Sequence, residues 1–143
     1  MSREVWLTVT GDQKDSDGNR DRNAVSCRAS YESCDGSHVF TYRERDPESG
    51  AVTESRMVFS ESFCRIDRKG AVHTSMYFSP MEESECGYET GFGTFLMKIY
   101  TKHLAMKQVG GNFHARVSYT LCLQGGVPME CAVTVKAEPL CKA

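Results

Sequence analysis

Residues 88–102 read Tyr88-Glu89-Thr90-Gly91-Phe92-Gly93-Thr94-Phe95-Leu96-Met97-Lys98-Ile99-Tyr100-Thr101-Lys102. The glycines at 91 and 93 mark a turn. Beyond it Phe95, Met97 and Ile99 fall at every second place, opposite Lys98 and Lys102. Alternation of this kind belongs to a strand with one buried and one wet face. An antiparallel β-structure follows, and the rest of the chain repeats the pattern.

Val5, Leu7 and Val9 alternate with Trp6, Thr8 and Thr10, and Val25, Cys27, Ala29 and Tyr31 alternate with polar neighbours. The turn pair Asp35-Gly36 leads into a run from His38 to Arg45. Thr53, Ser55, Met57 and Phe59 share a face, as do Cys64 and Ile66 in a shorter run. Val72, Thr74, Met76 and Phe78 form a sixth run after Lys69-Gly70, and the run beginning at Phe95 is the seventh. The last two are long. Phe113, Ala115, Val117, Tyr119, Leu121 and Leu123 face one way, and Val127, Met129, Cys131, Val133 and Val135 follow the turn Gln124-Gly125-Gly126. Nine runs with short, Gly-rich connections describe an all-β domain. Closing the sheet removes its exposed edges, so a single antiparallel barrel of about eight to ten strands is expected over residues 1–143, in preference to a two-sheet sandwich. No segment of ten or more residues has a convincing helical period, since the best candidate, Tyr100 to Val109, is short and follows a strand pattern, and Gly11–Asn23 is expected to be a long polar loop.

Composition narrows the function classes. The 143 residues are 40% apolar, enough for one packed core. No apolar run approaches the ~20 residues that cross a bilayer, and the N-terminus lacks the apolar stretch of a signal peptide. A cytoplasmic protein without membrane attachment is expected. The net charge of −2 supplies no basic excess for nucleic acid, and no nucleic-acid partner is expected. The seven cysteines are odd in number and include no Cys-x-x-Cys pair, so neither a disulfide framework nor a zinc knuckle is indicated. Cys27, Cys64 and Cys131 lie on apolar faces, where thiols serve as small hydrophobes.

The stretch Arg68-Lys69-Gly70-Ala71-Val72, Phe78, Tyr88-Glu89-Thr90-Gly91-Phe92-Gly93 and Thr101-Lys102 resembles the YwiB-like family. These are small bacterial proteins with a calycin-like, lipocalin-related β-barrel and a domain of unknown function. The order of turns and strands agrees over nearly the whole chain, and the motif covers about a quarter of it. Two departures stand out. The family often carries Gln-Arg before the Phe at 78, where this chain has Met76 and Tyr77, and position 91 is Gly. A fixed polar cluster at 76–77 is therefore not implied. True lipocalins place a Trp two residues after a Gly on the first strand; here Trp6 follows Glu4 at that spacing. The resemblance implies a fold and a ligand-binding analogy, and a fold by itself confers no function.

No constellation marks an enzyme. Gln13–Asp21 resembles the start of a calcium loop, but Gln13 and Ala24 occupy the two end-ligand positions, so no metal is expected. His38, His73, His103 and His114 have no local metal-pair spacing, and no Ser or Cys sits in a nucleophile elbow. Lys98, Lys102, His103, Lys107, His114 and Arg116 form a mildly basic group with Tyr100 as its interspersed aromatic, which reads as a solvated outer face. The interior is more informative. Met57, Met76, Met97 and Met129 fall on the inward face, and Tyr31, Tyr42 and Tyr119 share it. Methionine adapts to irregular shapes, and tyrosine offers an apolar body with one polar tip. Such a lining suits a small apolar or amphipathic ligand and needs no cofactor. The alternative is a non-catalytic interaction or homodimeric assembly module, using an outer face such as Trp6, Tyr77 and Tyr100.

Overall fold

The alternating residues draw ten strands among the described residues. The structure, a computed structural model, describes residues 2–70, 73–124 and 126–140. The strands are β1 (Ser2–Lys14), β2 (Arg20–Cys34), β3 (Ser37–Arg45), β4 (Val52–Phe59) and β5 (Cys64–Lys69). Then come β6 (His73–Phe78), β7 (Glu83–Thr90), β8 (Gly93–Val109), β9 (Asn112–Leu123) and β10 (Met129–Pro139). Each pairs antiparallel with its sequence neighbour, and β1 pairs with β10 from Val5↔Pro139 to Lys14↔Glu130. The sheet thus closes into a barrel, as the argument from exposed edges requires. Among the described residues no helix is long and apolar enough to cross a membrane.

Two tight hairpins rest on residues that tolerate positive φ. Asp35 (φ 49) and Gly36 (φ 82) join β2 to β3, and Gly110 (φ 58) and Gly111 (φ 91) join β8 to β9. Both central residues at positive φ match the right-handed twist of the flanking strands.

The barrel has unequal ends. The end with the β2–β3 and β8–β9 turns is plugged by aromatic rings. Phe40 lies 5.0 Å from both Tyr31 and Phe113, and Phe59 lies 5.5 Å from Phe113. Phe40, Phe59, Val5 and Leu7 are fully buried there. At the other end the inward positions are Gln13, Asn23, Glu44 and Arg68, and the lumen opens. Phe95 continues the inward phase of Met97 and Ile99, yet it is 48% exposed because it sits at this open rim.

Two expectations need correction, and one weakly patterned segment finds its place. Tyr100 to Val109 is the second half of β8, in keeping with the lack of a convincing helical period. Between Thr101↔Tyr119 and His103↔Ser118 the strand carries one extra residue, a β-bulge at Lys102. The inward set is Met97, Ile99 and Thr101 before the bulge and Leu104 and Met106 after it. The change from odd to even numbers erased the period-two signal. Gly11–Asn23 is not a long loop. It is the end of a hairpin paired to Lys14↔Arg20, and only residues 15–19 turn. The Asp15 carboxylate closes that turn by accepting from the Asp17 and Asn19 backbone N–H groups, each at 2.9 Å, and these bonds, that from Asn19 first, hold its pKa below the usual value. Finally, β7 adds a tenth strand to the nine runs, and β10 starts at Met129, leaving Val127 outside it and exposed. Val72 of the expected sixth run, Gly125 and Cys141 lie outside the described residues.

The barrel wall is uneven. β1 and β2 pair continuously from Ser2↔Glu32 to Lys14↔Arg20, whereas among the described residues β6 and β7 are in register at His73↔Glu89 and Thr74↔Tyr88 alone. Beyond those pairs Ser84 Oγ donates to the Tyr77 carbonyl at 2.7 Å, bridging a wall that the ladder leaves open.

Candidate functional site

Just inside the open end lies a cavity of about 230 Å³. Its floor is apolar: Met57 from β4, Ile66 from β5, and Met76 and Phe78 from β6. Each stands on the inward phase of its strand, and the cross-strand pairs Met57↔Ile66 and Ile66↔Met76 set three of them side by side. Tyr42 and Tyr119 form part of the wall. The Tyr119 ring packs 4.7 Å from Phe78, and burial raises the pKa of both phenols above the ordinary value.

The mouth is polar. Gln13, Asn23, Glu44 and Arg68 line it, and Arg68 Nη2 donates to Glu44 Oε1 at 3.0 Å. These four were not expected as site residues. Their signal is parity, since Glu44 continues Phe40 and Tyr42 inward and Arg68 continues Cys64 and Ile66. A charged residue on an inward phase marks a lumen that is wet at that depth.

Of the seven expected interior residues, Tyr42, Met57, Met76 and Tyr119 line this cavity. Tyr31, Met97 and Met129 belong to the core without lining it. Met97 is paired with Cys86 and Leu123, and Met129 with Leu121, on the far wall. Tyr31 is in the aromatic plug, with its hydroxyl 2.6 Å from His38 Nδ1 and the Arg3 guanidinium 5.1 Å from its ring centre.

His38 shares that plug, 4.9 Å from Phe113, and desolvation holds its pKa below the ordinary 6.5. The unfolded chain therefore takes up this proton at a higher pH than the barrel does. The contribution is complete above about pH 6.5 and is lost as the pH falls through 6.5 toward the folded value. Urea unfolding at pH 7.5 and 5.5 is expected to show a larger loss of stability in the wild type than in His38→Gln. Equal losses would remove His38 from the plug.

Four of the thiols, those of Cys27, Cys64, Cys86 and Cys131, are poorly set up as nucleophiles. Burial pushes up the pKa of Cys27, Cys64 and Cys86, and pushes Cys131 up to about 11. Among the described residues no group of three or more His, Cys, Asp or Glu side chains could hold a metal ion.

On the outer wall Lys107 is opposite His114, but the rest of the basic group is interleaved with acids. Lys102 pairs with Glu130, Lys98 lies 3.9 Å from Glu85, and Arg116 donates to Thr134 Oγ1 at 2.8 Å. Lys102, His103 and Arg116 share an outer groove with Asp12, Asp21 and Glu130. Trp6, Tyr77 and Tyr100 are each partly exposed, but β9 and β10 lie between the strands of Trp6 and Tyr100.

Comparison with known proteins agrees with this architecture. The family model described as "Domain of unknown function (DUF1934)" matches residues 7–135. Among solved structures, the crystal structure of ywiB protein from Bacillus subtilis matches with a TM-score of 0.84 at 18% sequence identity, covering 98% of this chain and 94% of that one. At that identity the likeness establishes the fold. No curated protein matches the chain.

Proposed function

The chain belongs to the DUF1934 family, a domain of unknown function, and from that premise we propose that it is a non-catalytic protein that binds a small amphipathic ligand in its barrel. The observation that carries this reading is the cavity of about 230 Å³ with an apolar floor and a polar mouth. Its size sets the ligand class. A cavity of about 150 Å³ lined by aliphatic and aromatic side chains holds benzene, whereas drug-sized ligands occupy about 300 Å³ or more. The cavity therefore suits one ring, or a short branched chain, with a polar end.

The raised pKa values of the Cys64 and Cys131 thiols, the latter beside the cavity-lining Tyr119, support a binding role for the lumen over nucleophilic chemistry within it. A cytoplasmic location is supported by the free thiols of Cys27, Cys34, Cys64, Cys86, Cys122 and Cys131, which suit a reducing compartment.

Calorimetric titration with p-cresol is the test. Saturable binding at one site is expected, weakened about ten-fold or more by Met76→Trp, which fills the cavity from a half-buried position in its floor. No binding to the wild type, or equal binding to the variant, would sink the reading.

A further inference from the structure

The ligand-binding reading leaves the polar end of the ligand undefined, and the inference drawn here rests on that reading. Glu44 and Arg68 are the charged residues of the cavity lining, and they carry opposite signs. They project from β3 and β5, on either side of β4, where Ser55 is opposite both Tyr42 and Arg68. One hydrogen bond joins them, from Arg68 Nη2 to Glu44 Oε1, and among the described residues neither makes another. A guanidinium has five N–H donors and a carboxylate has about four acceptor sites. The pair thus presents unused donors beside unused acceptors at the mouth of an apolar chamber.

That arrangement discriminates by charge. An anion gains Arg68 but meets Glu44 within the same few ångströms, and a cation gains Glu44 but meets Arg68. A molecule with both charges a few ångströms apart satisfies the pair together, and it leaves the net charge of the site unchanged. The chamber beneath accepts one apolar group, bounded by Met57, Ile66, Met76 and Phe78. At about 230 Å³ it excludes peptides and long acyl chains.

We propose that the cavity binds a zwitterion of the free α-amino-acid type with an apolar side chain. Its carboxylate sits on Arg68, its ammonium on Glu44, and its side chain on the methionine and aromatic floor. Tyr42 and Tyr119 line the same cavity.

Calorimetry with four probes tests this: L-phenylalanine, N-acetyl-L-phenylalanine (anion only), L-phenylalaninamide (cation only) and p-cresol (uncharged). The wild type is expected to bind L-phenylalanine about ten-fold or more tightly than either singly charged analogue, the usual worth of a charge-assisted contact. In Glu44→Gln the preference over the anion-only analogue should collapse. In Arg68→Gln the preference over the cation-only analogue should collapse. Singly charged analogues that bind the wild type as well as the zwitterion overturn the proposal, as does a preference unaltered by both substitutions. If p-cresol binds and L-phenylalanine does not, the zwitterion fails while the ligand-binding cavity stands. If neither binds, both fail.

Discussion

Deleting Ser118 is expected to unfold the barrel, whereas deleting Lys102, on the adjoining strand, is expected to leave it folded. The difference comes from parity. Ser118 lies in the unbroken alternation of β9, with Val117 buried before it and Tyr119 buried after it. Removing it turns Tyr119 and Leu121 outward and Thr120 and Cys122 inward, because side-chain direction has a period of two. Each large apolar side chain lost from the interior costs about 1.5–3 kcal/mol, before the cost of burying polar groups in its place. The sum is comparable to a whole domain's stability of about 5–15 kcal/mol. Lys102 is the surplus residue of the β8 bulge. Without it Thr101 still points in, His103 out and Leu104 in. The loss is the bulge's local twist and a half-exposed ion pair with Glu130, worth about 1 kcal/mol or less. Circular dichroism and thermal melting of the two deletions decide the matter, and comparable losses would place the bulge elsewhere.

Phe40→Ala is the point substitution expected to cost most. Its ring is fully buried and contacts Tyr31, Phe59 and Phe113 at the plugged end. Truncating a buried Phe costs about 3–5 kcal/mol, through lost transfer energy and the cavity left behind. For a domain of this size that is a fall in Tm on the order of 10 °C. Phe95→Ala at the open rim removes the same side chain from a half-exposed position, and a change within about 0.5 kcal/mol is expected. If Phe95→Ala were the costlier of the two, the plugged and open ends would be reversed.

How legible the barrel is depends on how dry its lumen is at each depth. Where the interior is dry, inward positions must be apolar, and the alternation of Val5/Leu7, Phe40/Tyr42, Met57/Phe59 and Phe113 through Leu121 reveals strand and face together. Toward the open end that pressure lapses. Gly11, Gln13 and Asn23 take inward positions without apolar side chains, so the end of the β1–β2 hairpin reads as a loop. The same wetness hides Glu44 and Arg68, which parity could have placed. β7 is obscured for a different reason. Its exposed residues Glu83, Glu85 and Glu89 share one parity with Gly87, while Ser84 and Cys86 on the other parity offer little apolar contrast. The methionine and tyrosine lining is visible from alternation alone. Which of those residues share one chamber is not, because that depends on how the register of successive strands staggers around the barrel.

The short ladder between β6 and β7 gives the barrel a preferred direction of opening. Strand separation costs least where the fewest backbone bonds must break, and the low-stability parts of a fold are where transient opening concentrates. Met76 and Phe78 of the cavity floor ride on β6 itself. Sideways movement of that strand would enlarge the chamber while the aromatic plug stays packed. Such a movement would give the cavity a yielding wall as well as a mouth.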